Sequence, residues 1–168
     1  MEGLVSFEYN LILMDNRLAN DIREITSMVH YQPAISVLMP LDTRMGMRAE
    51  LIQQLKFKGD QLQRELQQKY SGELVSVVME KFNRITDELV PDTKKKGLAI
   101  FVSPVYEKVL FLDMPVEERL IVNESFEIRD LVYAGKSLHR FLVLILSGSS
   151  TKTLLGSSSG FLSLKTGV

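Results

Sequence analysis

The sequence predicts an α/β chain (α+β in detail), in which a mixed β-sheet is packed by an αα-hairpin and followed by a C-terminal, strand-rich segment. Three observations predict this fold class. Short apolar runs rich in β-branched residues are bounded by turn residues, as in strands. Two long stretches carry apolar residues at helical spacing. The region 141–168 consists of strand-like segments separated by Gly/Ser turns.

The first forty residues predict a loosely alternating strand or extended arm, a helix and a strand. The arm covers residues 5–14, and Asp15 or Asn16 caps the helix that follows. Residues 18, 22, 25 and 29 are apolar at helical spacing, and Pro33 ends this helix. Residues 34–39 (AISVLM) are a short apolar run closed by Pro40, which predicts a buried strand.

Residues 47–70 and 73–90 are the two longest predicted helices. Each has one apolar face and one polar face, the pattern of a helix that packs on a core. Because only Ser71 and Gly72 separate them and Pro91 ends the second, we expect an αα-hairpin. The apolar faces consist of Leu51, Leu55, Leu62, Leu66 and Tyr70 in the first helix and of Leu74, Val78, Phe82, Ile85 and Leu89 in the second.

The remainder of the chain predicts mainly strands. After a polar connection, residues 97–102 (GLAIFV) predict a central strand, and residues 105–112 predict its partner beyond a Ser-Pro turn. Short strands are predicted at 120–122 and 126–128, and a connection at 130–139. A buried strand (FLVLILS) and two shorter strands (TKTLL and FLSLK) complete the chain. We therefore expect an N-terminal mixed α/β domain of residues 1–138 and, in residues 141–168, the first strands of a second, truncated domain.

Composition excludes several classes of function. Lys and Arg total 20 against 21 Asp and Glu, so the chain as a whole does not attract nucleic acid, and we expect no DNA partner. The absence of cysteine excludes disulfides, thiolate metal sites and a cysteine nucleophile. The longest apolar run, residues 141–146, is far shorter than the roughly 18 residues of a membrane span. With no basic segment ahead of an apolar one at the N-terminus, we expect a cytoplasmic protein without a membrane partner.

Any RNA contact must come from local basic positions. One group is the only basic run of the chain, another lies on the polar face of the first long helix, and one residue lies in the loop 40–46 at the end of a predicted strand, where α/β domains often bind ligands. A solvated face, loop or helix cap is the commoner role of such residues. The candidate RNA or ribosome contacts are Arg44, Lys56, Lys58, Arg64, Lys94, Lys95 and Lys96.

No catalytic constellation stands out. His30 and His139 have no partner at metal-ligand spacing. Glu117 and Glu118 are adjacent in an extended segment and therefore point to opposite faces. Residues 148–156 (GSSTKTLLG) lack the Gly-Lys pair of a phosphate loop and predict a hairpin turn. We expect no catalytic residue, metal or cofactor.

The segment order offers a further indication. ISVLMP, a polar helix pair, GLAIFVSPVYEKVLFLDMPVEERLIVNESFEIRDL and FLVLILSGSSTKTLL follow one another between residues 34 and 164. This order resembles the bacterial archaeo-eukaryotic release factor family. The resemblance implies that residues up to about 138 are that family's N-terminal domain and that its central ribonuclease-H-like domain begins at residue 141. It also implies a ribosome or tRNA partner. Hydrolysis in the family depends on a Gln-bearing loop, and no Gly-Gly-Gln occurs here.

Three functions are open at this point. The leading one is a non-catalytic N-terminal portion of a release-factor-like protein in translation termination or ribosome rescue. The second is a protein-interaction or self-assembly module, because the C-terminal strands lack covering helices and would allow a homodimer through their exposed residues. A stand-alone hydrolase is least favoured, since no catalytic residues converge. The residues that need a cover are Phe141, Val143, Ile145 and Phe161.

Overall fold

The computed structural model of the chain describes residues 18–27, 32–41, 48–92, 94–136, 141–148, 150–157 and 160–164. Helices and strands are both well represented, which confirms the α/β fold class. In chain order the elements are α1 (residues 18–27), β1 (Ala34–Pro40), α2 (Arg48–Lys69), α3 (Gly72–Glu88), β2 (Gly97–Val102), β3 (Glu107–Leu112), β4 (Arg119–Asn123), α4 (Arg129–Lys136), β5 (Phe141–Ser147), β6 (Ser150–Ser157) and β7 (Gly160–Leu164). The predicted arm at residues 5–14 lies outside the described residues.

The chain divides into two compact units, one of Glu24–Ile128 and one that combines Met1–Arg23 with Arg129–Val168. The first unit holds a four-stranded sheet of order β3-β2-β1-β4, and the second holds a three-stranded sheet of order β5-β6-β7. Every pairing between described strands is antiparallel, so the predicted mixed sheet is an antiparallel one. The predicted domains of residues 1–138 and 141–168 stay a prediction, and the two sheets lie on either side of their boundary.

Helices α2 and α3 cover one face of the four-stranded sheet. Alternate strand residues, such as Val37 and Ile100, are buried in one cluster with the apolar faces of both helices. The predicted face of α2 is confirmed. The predicted face of α3 is confirmed except at its first position, where Val75 is buried and Leu74 is only half-buried. The helical residues of this core are Leu51, Leu55, Leu62, Leu66, Val75, Val78, Met79, Phe82 and Ile85.

Gly59 lets the two helices of the hairpin approach closely. A Cβ atom at this position would lie 3.2 Å from Cε1 of Phe82, whose side chain is 1% exposed. Glycine inside a helix costs about 1 kcal/mol relative to alanine. The close packing of Phe82 against Gly59 offsets that cost, and it explains why α2 has a glycine at this position.

The other face of the same sheet is covered by the segment after β4 and by the end of α1. The ring of Phe126 packs edge-on against Phe101 at 5.4 Å between centroids. The backbone N–H of Glu127 donates to Ser36 Oγ at 2.9 Å. Residues 126–128 therefore cross the sheet instead of extending its edge, and the strand predicted there is wrong. With both faces covered, all six residues of β2 are buried.

The three-stranded sheet forms as the strand pattern predicts, with β5 and β6 joined at Gly148. Phe141 pairs with Gly156, and a Cβ atom there would lie 2.4 Å from the Phe141 ring. The ring thus lies across the glycine and meets Phe161 at 5.8 Å between centroids. The expectation that β5 is buried is wrong, because six of its seven residues are exposed, five of them apolar.

A helix replaces part of the predicted connection at residues 130–139. Helix α4 begins at Arg129 and carries Asp130 in its first turn, where a carboxylate favours the positive end of the helix dipole. Leu131 in the same helix is fully buried. In the sequence, the acidic Asp130 just ahead of the apolar Leu131 is a signal that indicates the start of a helix here.

Candidate functional site

Helix α2 carries three of the predicted RNA-contact residues, and they differ in their partners. Lys56 Nζ lies 3.7 Å from Asp87 Oδ1 near the end of α3, with both side chains about two-thirds exposed. Lys58 Nζ lies 2.5 Å from Glu118 Oε1, and its side chain is only 16% exposed. Arg64 is exposed. Lys58 therefore joins α2 to the segment before β4, whereas Lys56 and Arg64 are accessible to a phosphate.

The lysine run lies in a segment that the sheet holds in place. Lys95 Nζ lies 2.7 Å from Asp113 Oδ1 just beyond β3. The backbone N–H of Lys96 donates to the carbonyl of Leu112 at 2.8 Å. The side chains of Lys94 and Lys96 are exposed on either side of the paired lysine. The run thus presents two accessible cations on a fixed backbone.

The remaining predicted position, Arg44, lies outside the described residues, as do His30 and His139. Its role in RNA contact stays a prediction. The accessible cations among the predicted RNA contacts form two groups, one on α2 and one on the connection after α3. Asp87, the ion-pair partner of Lys56, lies near the end of α3. The ion pair therefore joins the first group on α2 to the part of α3 that precedes the second group.

A polar cluster on the second face of the four-stranded sheet is not evident from the sequence. Glu24 Oε2 pairs with Lys108 Nζ at 2.8 Å, and Glu24 Oε1 accepts a hydrogen bond from Tyr106 Oη at 2.9 Å. The bonds from Lys108 and then from Tyr106 hold the pKa of Glu24 below its ordinary value. Tyr106 and Lys108 lie 82 and 84 positions from Glu24, so no local sequence pattern predicts these contacts.

A second polar arrangement fixes the turn after β2. Lys81 Nζ donates to the carbonyls of Pro104 at 2.9 Å and Ser103 at 3.2 Å. Ser103 Oγ accepts from the backbone N–H of Tyr106 at 3.1 Å. Nearby, Arg84 binds both carboxylate oxygens of Glu107, at 2.7 and 2.6 Å. These contacts satisfy turn carbonyls and fasten α3 to the sheet, which is a structural role.

The acidic groups that the sequence places side by side do not converge on one site among the described residues. No group of three or more His, Asp or Glu residues among them could hold a metal ion. Glu117 pairs with Arg119 and Glu118 with Lys58, so the two carboxylates bind different cations. The β5–β6 connection is the hairpin turn that the sequence predicts. Within the same described ranges, no helix has the length and apolar character that crossing a membrane requires.

The strongest surface feature is the set of exposed apolar side chains on β5. The exposed fractions are 46% for Phe141, 63% for Leu142, 54% for Leu144, 47% for Ile145 and 70% for Leu146. Because neighbouring residues of a strand point to opposite faces, apolar side chains are exposed on both sides of the sheet. We call these five residues the β5 surface. Exposed apolar side chains of this kind are common where proteins associate.

Comparison with known proteins adds evidence on the fold alone. The chain matches no protein-family model and no curated protein. Among solved structures, a chain named "Archaeal protein" matches 90% of this chain with a TM-score of 0.53 and 13% sequence identity. The match covers 44% of that chain, so this chain spans less than half of its length. At such low identity the likeness concerns the fold and carries no function.

Proposed function

We propose that this chain is the non-catalytic N-terminal portion of a release-factor-like protein that acts in translation termination or ribosome rescue, in the cytoplasm. The observation that carries the proposal is the order of segments between residues 34 and 164, which resembles that family. One further fact supports it: the fold also occurs within a solved chain of which this chain covers 44%.

The proposed role of this portion is to contact ribosomal RNA or tRNA while another part of the molecule carries out hydrolysis. The accessible cations Lys56, Arg64, Lys94 and Lys96 would bind phosphates, and Lys58 and Lys95 would contribute less because carboxylates already bind them. With at most four phosphate contacts of single-strand type, affinity should fall no more than about 50-fold between roughly 50 and 200 mM salt.

Co-sedimentation with ribosomes at low salt tests this proposal. The wild-type chain should sediment with ribosomes, and Lys94→Glu/Lys96→Glu should reduce binding by about tenfold, because two contacts become repulsive. The matched control Lys69→Glu/Lys152→Glu changes the same charge at two other exposed lysines and should bind as the wild type does. Failure of the wild type to co-sediment, or equal loss in the control, contradicts the proposal.

A second candidate function, a protein-interaction or self-assembly module, is favoured by the β5 surface. Strand edges and apolar faces that lack a partner are regular sites of association between chains. Analytical ultracentrifugation distinguishes the two candidates. A wild-type chain that stays monomeric at the highest soluble concentration contradicts self-assembly and leaves the ribosome proposal unaffected.

A further inference from the structure

The segment between β3 and β4 crosses one end of the four-stranded sheet. β3 and β4 lie at opposite edges of this sheet, so residues 113–118 pass the ends of β2 and β1 to connect them. The segment is long enough, because three strand spacings amount to about 14 Å and an extended chain spans roughly 3.3 Å per residue. The crossing is close at Gly97, where a Cβ atom would lie 2.7 Å from the carbonyl oxygen of Met114.

This segment (DMPVEE) contains three carboxylates and no cation, and we call residues 113–118 the acidic strap. The carboxylates at its two ends each bind a lysine that belongs to the predicted RNA contacts. Asp113 Oδ1 lies 2.7 Å from Lys95 Nζ. Glu118 Oε1 lies 2.5 Å from Lys58 Nζ. The acidic strap therefore holds two of the predicted RNA-contact lysines, one on α2 and one in the lysine run.

Both carboxylates are more exposed to solvent than the lysines they bind. The side chain of Glu118 is 53% exposed and that of Lys58 is 16% exposed. The side chain of Asp113 is 32% exposed and that of Lys95 is 21% exposed. Carboxylate and phosphate oxygens accept the same charge-assisted hydrogen bonds from an ammonium group. The acidic strap thus occupies, at two lysines, the place that an RNA phosphate would take.

We propose that the acidic strap is an autoinhibitory contact that keeps Lys58 and Lys95 from binding RNA. The inference rests on the proposed function, contact with ribosomal RNA or tRNA, and adds an internal competitor for the phosphates. Release of both carboxylates adds Lys58 to the group on α2 and completes the lysine run, in which Lys94 and Lys96 are already exposed. The cations available to phosphate then increase from four to six.

An inhibitory role and a purely structural role predict different results when the carboxylates are neutralised. Asp113→Asn/Glu118→Gln keeps the shape of both side chains and removes their charges. An inhibitory strap predicts that this variant binds a short, fluorescein-labelled single-stranded RNA about tenfold more tightly than the wild type at roughly 100 mM salt. If the two ion pairs only stabilise the fold, the affinity for RNA stays the same or falls.

The salt dependence of RNA binding provides a second readout. Each phosphate contact with a single strand contributes about 0.7 to the slope of log K against log salt concentration, so two additional contacts should steepen the slope by about 1.4. Fluorescence anisotropy between roughly 50 and 200 mM salt measures the affinity and the slope together. A strap variant whose slope equals that of the wild type refutes the proposal.

Two controls separate the acidic strap from a general effect of charge. Glu73→Gln/Glu80→Gln removes two exposed carboxylates of α3 and should change the affinity less than about twofold. Adding Lys58→Ala and Lys95→Ala to the strap variant restores the wild-type net charge and should return the affinity and the slope to their wild-type values. An equal gain in the α3 control, or a gain that persists without both lysines, overturns the proposal.

Circular dichroism checks that each variant is folded. If the double strap variant is not, Asp113→Asn alone leaves the Lys58–Glu118 pair intact and should still give about a threefold gain in affinity; no gain refutes the proposal.

Ribosome co-sedimentation separates failure of this inference from failure of the proposed function. A wild-type chain that co-sediments, together with a strap variant that gains no affinity for RNA, overturns the inference alone. A wild-type chain that does not co-sediment, together with a strap variant that gains both affinity and slope, overturns the proposed function alone. If neither chain binds RNA, both proposals fail.

Discussion

The four-stranded and three-stranded sheets have strands of similar composition and opposite exposure. β2 (GLAIFV) and β5 (FLVLILS) are both nearly continuous apolar runs. All six residues of β2 are buried, whereas Leu146 in β5 is 70% exposed. The difference lies in the neighbours, because α2, α3 and the Phe126 segment cover the first sheet on both faces. An apolar strand therefore indicates that both faces need a cover, and it does not indicate which chain supplies it.

The largest expected effect breaks the core of the covered sheet. Phe82→Ala removes a side chain that is 1% exposed and leaves a cavity, so it should lower the free energy of unfolding of this unit by about 3–5 kcal/mol. The matched truncation Leu146→Ala on β5 should change stability by less than about 0.5 kcal/mol. Urea unfolding measures both. A cost above about 2 kcal/mol for Leu146→Ala would mean that the β5 surface is buried in solution.

A smaller effect concerns the three-stranded sheet alone. In Gly156→Ala the new methyl group would displace the Phe141 ring and break its contact with Phe161, at a cost of about 1 kcal/mol. Gly148→Ala is the control, since a Cβ atom there meets nothing within 4 Å. Thermal unfolding followed by circular dichroism compares the two, and an equal loss in both variants would argue against the ring lying across Gly156.

The ion pairs that fasten the covering helices should matter less again. Lys58→Ala removes a mostly buried lysine from Glu118 and should destabilise the covered unit by about 1 kcal/mol. Lys56→Ala affects an exposed pair and should cost less than about 0.5 kcal/mol. Urea unfolding of both variants checks this order. If Lys56→Ala cost more stability than Lys58→Ala, Lys58 would count among the accessible cations that could bind RNA.

The smallest effect is a pH dependence confined to the covered sheet. Because Lys108 and Tyr106 hold the pKa of Glu24 below its ordinary value, this group stabilises the fold above its unfolded pKa. That contribution is lost as the pH falls through the lowered folded value. Glu24→Gln should remove this part of the acid dependence. The described residues of β5–β7 contain no carboxylate, so they offer no counterpart to this acid dependence.

The predictions that hold are those that depend on local periodicity. The helices over residues 47–70 and 73–90 and the strands at 34–39 and 97–102 appear within a few residues of their expected bounds. Apolar spacing of 3.6 or 2 residues is a property of neighbouring positions, and it determines the fold class without knowledge of any distant contact. The exposed positions of Lys94 and Lys96 follow from the same local polarity.

Only the tertiary structure decided the contacts between residues that are distant in the sequence. It shows that Lys58 is held by Glu118, that Glu24 meets Tyr106 and Lys108, and that residues 126–128 cross the sheet. It also shows that β5 is exposed. The physical reason is the same in each case. Side-chain pairing and burial depend on which surfaces meet in space, and residues 60 or more positions apart leave no periodic signal in the sequence.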